Sequence, residues 1–355
     1  MWIGEAQSQD PRDFLAVANG LLHLPSNELH PHTPEYFNLT ASAVAYDPNA
    51  AVPANWNKFL DQVWPGDKQS KDTLHEIFGY LLIADTFQQK IFLWIGEPRS
   101  GKGTTLRVLT PLVGKGSVVA TSMGDLKCQF GLQPLIGKSL ATLPDARLGK
   151  GDPATLTERL LSISGGDAQG IQRKYKGNWD GCLAVRFLML SNELPAFADP
   201  TGTIGTRFIV LEFANSFLGK EDPRLIDKLL PELPGVLNLA IAGYKRLKER
   251  CHFIQPDSAQ GAADELKRTD IKAFIEECCK FDPDYEVTTD IIYANYRNWC
   301  TANGCHPVDA RQFGRLLKSA AKPHVITKHR GRDDAGRAHY YRGITLFVGG
   351  SHQPI

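Results

Sequence analysis

The sequence predicts an α/β protein: a central domain of apolar strands and helices, with a small segment ahead of it and a winged helix behind it. Three observations carry this reading. An apolar run, Ile91 to Ile95, leads directly into Gly96-Glu97-Pro98-Arg99-Ser100-Gly101-Lys102, the G-x-x-x-x-G-K pattern of a phosphate-binding loop. Two later apolar runs end in polar residues at positions where nucleotide chemistry needs them, Asp145 and Asn192. Towards the end of the chain, two helical patterns are followed by a basic two-stranded hairpin, the order of a helix-turn-helix relative with a wing.

A chain of 355 residues is long enough for two or three domains with full cores. Its 42% hydrophobic and 22% charged composition is that of an ordinary soluble globular protein. The formal net charge is +1, so any affinity for nucleic acid has to come from local patches and not from the overall field. The start, Met1-Trp2-Ile3-Gly4-Glu5, has no basic region leading into an apolar one, and no apolar run approaches the roughly 18–20 residues that span a bilayer. The expected location is cytoplasmic, with no membrane partner. The seven cysteines are unevenly placed and include no C-x-x-C pair. Reduced thiols fit them better than a zinc site, even with Cys300, Cys305 and His306 close in sequence.

In chain order, residues 1–85 hold no catalytic motif. Phe14 to Val17 and Leu21 to Leu24 read as two strands around Asn19-Gly20, a hairpin signal. Trp56 to Trp64 and Thr73 to Leu82 have helical apolar spacing. Residues 86–252 form the expected nucleotide-binding domain. In its loop the glycines let backbone N–H groups close around phosphate at a helix start, and Lys102 reaches the β- and γ-phosphates. The residue after Lys102 is Gly103, so the magnesium-binding hydroxyl falls to Thr104, directly or through water, with Thr105 beside it. Ser139 to Pro144 is a second strand ending at Asp145, where a magnesium carboxylate is needed. Arg186 to Leu190 is a third, leading to Ser191, Asn192 and Glu193. A fourth begins after Arg207, an arginine able to reach a phosphate across a subunit boundary. Between the second and third strands, the basic run Arg173, Lys174, Tyr175, Lys176 before Gly177-Asn178 suggests an exposed hairpin with its turn at Gly-Asn.

Residues 253–262 read as a linker, or as a cap on the core, before a helix from Ala263 to Cys279. Over 263–350, helices at 289–300 and 310–318 precede strands at 324–328 and 338–348. From Arg311 to Arg342 there are nine Lys/Arg against two Asp. Lys328, Arg330, Arg332 and Arg337 on the wing are the candidate DNA contacts, and phosphate contacts would make binding salt-dependent.

The ordered set of motifs resembles the C-terminal helicase part of phage and plasmid primase–helicases, among the superfamily 3 helicases with the poxvirus primase–helicase. Gly96 to Thr104 is similar to their Walker A in its Gly-Lys-Gly-Thr form, Asp145 to Leu148 to Walker B, Ser164 to Lys176 to the additional hairpin motif. Asn192 takes the place of sensor 1 and Arg207 that of the arginine finger. The resemblance implies an AAA+-like parallel sheet with helices on both faces, assembled as a ring, usually a hexamer. It implies ATP and Mg2+ as cofactors, and single-stranded DNA drawn through the channel by the hairpin, with Lys174 and Lys176 facing it. Ala146 stands where a second Walker B acid is common, which leaves Asp145 or Glu193 to activate water. The expected function is an ATP-dependent DNA helicase for a phage, plasmid or other mobile element, with origin duplex as a further partner. A primase region often precedes this part, so a separate primase is a further partner and no primer synthesis is expected of this chain alone. The alternatives are an origin-binding replication protein with a degenerate ATPase and, ranked below it, a nucleotide kinase.

Overall fold

The computed structural model describes residues 10–38, 40–83, 85–144, 153–195, 197, 199, 201–303, 307–333 and 336–347, the side chains of 153 and 332–337 excepted. The chain divides into two units, Met1–Phe197 with Ile204–Leu266, and Ala198–Thr203 with Lys267–Ile355. The first opens with an antiparallel sheet of β1 (Phe14–Val17), β2 (Gly20–His23) and β3 (Glu28–His30). The expected hairpin is present, but its turn is Ala18–Asn19, and Gly20 already pairs with Val17. Asn19 closes the turn on Tyr46, its Oδ1 accepting from Tyr46 N at 2.8 Å and its Nδ2 donating to Tyr46 O at 2.9 Å.

Two helices follow, α1 (Ala54–Val63) and α2 (Lys68–Leu82). In α1 the helical spacing of Trp56, Phe59, Leu60 and Val63 puts all four in the core. Its N-terminus has no cap of its own. Glu232 supplies one from a distant segment, accepting from Asn55 N at 3.0 Å and Trp56 N at 2.9 Å. Then come β4 (Ile91–Gly96), α3 (Lys102–Val113), β5 (Val118–Ala120), α4 (Met123–Lys127), β6 (Leu140–Leu143) and α5 (Pro153–Gly165). A hairpin of β7 (Ala168–Arg173) and β8 (Lys176–Cys182) precedes β9 (Arg186–Ser191), α6 (Thr203–Arg207) and β10 (Phe208–Phe213). The short α7 (Leu225–Leu229), the long α8 (Leu233–Arg250) and α9 (Gln260–Lys267) follow.

Five strands form one parallel sheet in the order β10-β4-β9-β6-β5. Its central strands are apolar on both faces, as parallel strands covered by helices must be. Phe92, Trp94, Leu188, Leu190, Leu211 and Phe213 enter one core with α1, α2, α3 and α8. Their neighbours Ile91, Leu93, Phe187, Met189, Phe208 and Val210 enter the other with α4 and α5. The outer strand β5 has no buried residue, and its three residues are too short a run to stand out in the sequence. Helices α2 and α8 run close because each brings a glycine to the crossing. A Cβ on Gly79 would lie 2.2 Å from Ala240 O, and one on Gly243 2.4 Å from His75 O.

Residues 253–262 cap this core. Phe253 and Ala259 are buried, and Gln255 bonds both to Val210 N and to Val210 O at 2.9 Å. The single helix expected over 263–279 is two, α9 and α10 (Asp270–Cys278), because Thr269 caps a new start by accepting from Lys272 N at 3.1 Å.

In the second unit, α10 is followed by β11 (Cys279–Lys280), β12 (Glu286–Thr288), α11 (Thr289–Ala302) and α12 (Ala310–Ala320). The wing comprises β13 (Thr327–Asp333) and β14 (Gly336–Arg342), and β15 (Thr345–Leu346) pairs with β11. Phe274, Tyr296, Phe313 and Leu317 join the three helices in one core. This is a winged helix. The strand expected over 338–348 is broken at Gly343, whose φ of +97° turns the chain from β14 into β15. Among the described residues no helix is long and apolar enough to cross a membrane.

His75 on α2 is 8% exposed, and its Nε2 faces the indole N–H of Trp56 at 3.2 Å. Burial holds its pKa at about 4, below the ordinary 6.5. The unfolded chain therefore takes up this proton first, and stability is lost as pH falls from 6.5 towards 4. The linkage is worth about 3 kcal/mol at 1.36 kcal/mol per pH unit. His75→Gln keeps an acceptor for Trp56 and does not titrate. Urea unfolding should show the wild type losing about 3 kcal/mol more than this variant across that window.

Candidate functional site

The β4–α3 loop is a cradle closed around a cation. Lys102, only 9% exposed, donates from Nζ to Gly96 O at 2.6 Å, Glu97 O at 2.9 Å, Ser100 Oγ at 3.1 Å and Asn192 Oδ1 at 3.3 Å. Burial lowers its pKa, and the nearby Glu97 carboxylate partly restores it. Two glycines make the cradle possible. Gly96 has φ +151°, and a Cβ there would lie 2.1 Å from Phe213 O. Gly101, at φ +99°, packs directly over the Phe59 ring of α1. Arg99 is also in the left-handed region, at φ +60°. The loop is braced from outside by Ser216 Oγ donating to Pro98 O at 2.8 Å and Phe217 N donating to Arg99 O at 3.0 Å. An ammonium held over the backbone N–H groups of a helix start suits a polyphosphate, whose oxygens can take the place of the carbonyls as acceptors.

The two threonines differ. Thr105 is fully buried and returns its hydroxyl to Gly101 O at 3.0 Å. Thr104 is half-exposed on the wall of a cleft, with the Arg107 guanidinium 3.4 Å from its Oγ1. Of the two hydroxyls, only that of Thr104 is on the cleft wall.

Strand register explains how Lys102 and Asn192 meet. Ile95 pairs with Ser191 in the β4–β9 ladder, so Gly96 and Asn192 leave the sheet side by side at its C-terminal edge. Glu193 is exposed next to Asn192. Leu143 of β6 pairs with Met189 of β9, while Asp145, two residues beyond β6, lies outside the described residues with Ala146, Arg147 and Leu148. Arg207 is at the other edge. It precedes β10, whose Phe208 pairs with Ile91 at the start of β4, and it donates to Gln89 through the side-chain amide oxygen and the main-chain carbonyl. Six strand residues at ~3.3 Å each put roughly 20 Å between Arg207 and its own phosphate loop.

Beside the loop is a cleft of about 610 Å³, which reading the sequence did not reveal. Phe59 and Gln62 of α1 form one side, Phe217, Leu225 and Ile226 another, and Gly103, Thr104 and Arg107 of α3 the rim. These segments are far apart in sequence, and only the fold brings them together. The lining mixes these apolar side chains with charged ones, among them Arg99, Lys220 and Lys228, and such a cleft adjoining a phosphate cradle has the chemistry to take a nucleoside.

The expected basic hairpin between β6 and β9 is present, with a different turn. Arg173 pairs with Lys176, so Lys174–Tyr175 is the two-residue turn and Gly177-Asn178 lies within β8. Ile171 is opposite Trp179, both turned to the core, and a register shift between Ile171 and Arg173 brings Arg173 opposite Lys176. Lys174 and Lys176 are exposed and Arg173 half-buried. On the wing, Lys328 and Arg330 are exposed, and the register sets Arg332 opposite Arg337. Helix α12 adds Arg311, Arg315 and Lys318, exposed on one face at helical spacing. Among the described residues none of these three pairs with a carboxylate.

A helix-flanked parallel sheet with a phosphate-loop lysine at its C-terminal edge is a P-loop-like fold. The apo C-terminal region of NrS-1 in its A form shares this fold, with TM-score 0.54 and 12% identity over 84% of this chain and 77% of that one. A second apo structure of that region gives 0.53 at 12% identity and the same coverage. Residues 5–65 match the family described as D5 N terminal like, residues 94–207 a family of unknown function (DUF5906), and residues 270–339 the Poxvirus D5 protein-like family. "Putative helicase 022R" of Frog virus 3 (isolate Goorha) is 23% identical over 260 residues, 64% of this chain. The chain spans about a quarter, 26%, of that relative's length. These likenesses, to D5-like families, to a viral putative helicase and to the fold of the NrS-1 C-terminal region, agree with the motif resemblance.

The cradle makes a paired prediction. Gly101→Ala puts a Cβ 3.0 Å from the Phe59 ring at φ +99°. It should lower unfolding free energy by about 1–2 kcal/mol from the left-handed backbone alone. Gly103→Ala meets nothing within 4 Å and lies in the first turn of α3. It should be neutral or stabilising, and urea titration of both variants checks the contrast.

Proposed function

We propose that the chain is an ATP-dependent DNA helicase of the superfamily 3, AAA+-like kind, acting as a ring, usually a hexamer, on single-stranded DNA. The observation that carries this is Lys102, buried inside the phosphate cradle and within 3.3 Å of Asn192 on the neighbouring strand. That pairing brings Walker A and sensor 1 residues to one point, and the β10-β4-β9-β6-β5 order supports the AAA+-like reading. On this reading the backbone of Gly96 to Thr105 and the Lys102 ammonium hold the β- and γ-phosphates, and the base lies in the cleft against Phe59 and Phe217. Thr104 and Asp145 would hold Mg2+, which supplies charge neutralisation on the phosphates. Asn192 positions the γ-phosphate or the attacking water, and Glu193 or Asp145 orients that water.

Arg207 is too far from its own cradle to touch the same nucleotide, and this supports an action on a neighbouring subunit's γ-phosphate. The basic hairpin takes single-stranded DNA, and the cationic faces of α12 and the wing take duplex at an origin. A nucleotide kinase has no use for either basic surface. An origin-binding protein with a degenerate ATPase remains the second reading, favoured by Ala146 beside Asp145.

Steady-state ATP hydrolysis, measured with and without single-stranded DNA, tests the proposal. The wild type should hydrolyse ATP and be stimulated by DNA. Lys102→Ala should abolish turnover while keeping the fold. Arg207→Ala should keep nucleotide binding and lose hydrolysis by about three to five powers of ten. Mixing the two inactive variants should restore part of the activity, because mixed rings contain interfaces with an intact loop and an intact arginine. Wild-type turnover in Lys102→Ala would end the ATPase reading, and no recovery in rings shown to co-assemble would end the inter-subunit role.

A further inference from the structure

The hairpin tip carries a feature that its charge does not explain. Tyr175, second residue of the β7–β8 turn, has φ +61° and is 92% exposed. A bulky side chain is a rare occupant of the left-handed region, which glycine or asparagine enters readily. Nothing in the fold compensates. The Tyr175 ring packs on no core residue, and its one described ring contact is the ammonium of Lys174, 5.1 Å from the centroid. The hairpin beneath it is well anchored. Ile171 is buried, Lys174 N donates to Gln133 Oε1 at 2.9 Å, and Arg173 Nε donates to Gly177 O at 2.8 Å. An aromatic ring is therefore held out on a fixed support, among three cations with no carboxylate partner among the described residues.

We propose that Tyr175 is a base-stacking residue: a single strand lying on the hairpin tip places its phosphates against Arg173, Lys174 and Lys176 and one base on the Tyr175 ring. Single-stranded nucleic acid fits both halves of the surface, since cations take the backbone and an aromatic face takes any base. Lys174 lies over one face of the ring and leaves the other for the base. The inference rests on the reading of this hairpin as a DNA contact. It adds the residue through which the hairpin grips a base as well as the phosphate chain.

The test uses the full chain and a fluorescent oligothymidine, with anisotropy titrations over a range of salt. Tyr175→Gly should fold at least as stably as the wild type, because glycine suits φ +61°. It should bind oligothymidine about 5- to 150-fold more weakly, the range of one lost stack, with the salt slope unchanged. Tyr175→Phe and Tyr175→Trp should bind as the wild type does. Lys174→Ala/Lys176→Ala should weaken binding and reduce the salt slope by about 1.4, for two single-strand phosphate contacts. On an abasic strand of equal length, wild type and Tyr175→Gly should bind alike. If the lysine variant is weakened and Tyr175→Gly is not, the hairpin holds DNA and the stacking role is wrong. A wild-type advantage that persists on the abasic strand also overturns it. If both variants bind as the wild type does, the hairpin reading itself fails.

Discussion

The structure depends on one constraint: the middle strands of the parallel sheet are apolar on both faces and have to be covered on both. Trp94 and Phe213 point one way, Leu93 and Val210 the other, and each set is buried. Covering the first face takes α1, α2, α3 and α8, so the phosphate loop emerges from β4 directly against α1. Phe59 lies beneath Gly101, and Phe213 O stands where a side chain on Gly96 would be. The cradle's shape is thus imposed by its surroundings. A loop held in this way has lost its conformational entropy at folding and does not lose it again on meeting a ligand.

The same packing sets the electrostatics. Lys102 is enclosed enough for its pKa to fall, yet its ammonium has four acceptors: two carbonyls, a hydroxyl and an amide oxygen. These are neutral dipoles. They satisfy the hydrogen bonds of the cation without neutralising its charge, which leaves it available to an anion. Phosphate oxygens can replace the carbonyls as acceptors and add the missing charge. Arg186 at the start of β9 shows a different arrangement. It is buried against the Tyr80 ring with Leu81 O as acceptor at 2.7 Å, it faces no cradle, and its position is that of a bracing residue.

Much of this was legible in the sequence, for identifiable reasons. Strands β4, β9 and β10 are continuous apolar runs because both faces are buried, and α1 shows its Trp56, Phe59, Leu60 and Val63 stripe. Gly96, Gly101 and Lys102 stand out because the loop geometry admits few alternatives. Harder to see were features decided by distant contacts. The hairpin turn falls at Lys174–Tyr175 and not at Gly177-Asn178, because keeping Ile171 and Trp179 on the core side outweighs local turn preference. The cleft wall joins residues 59, 217 and 226, whose adjacency no short pattern encodes. That Arg207 sits across the sheet from Lys102 follows from parallel pairing with β4, which no local pattern around Arg207 encodes.

The crossing of α2 and α8 has a consequence for how the first unit is fastened. Helix α2 enters before the sheet and α8 leaves after it, and at Gly79 and Gly243 their backbones touch without intervening side chains. Glu232, just ahead of α8, also holds the start of α1. The segment that precedes the sheet and the segment that follows it are therefore clasped together over one of its faces. The unit is sewn shut, so a cut in an intervening surface loop would leave two pieces still gripping each other. A piece that began at β4, by contrast, would lack half the lining of that face and one wall of the cleft.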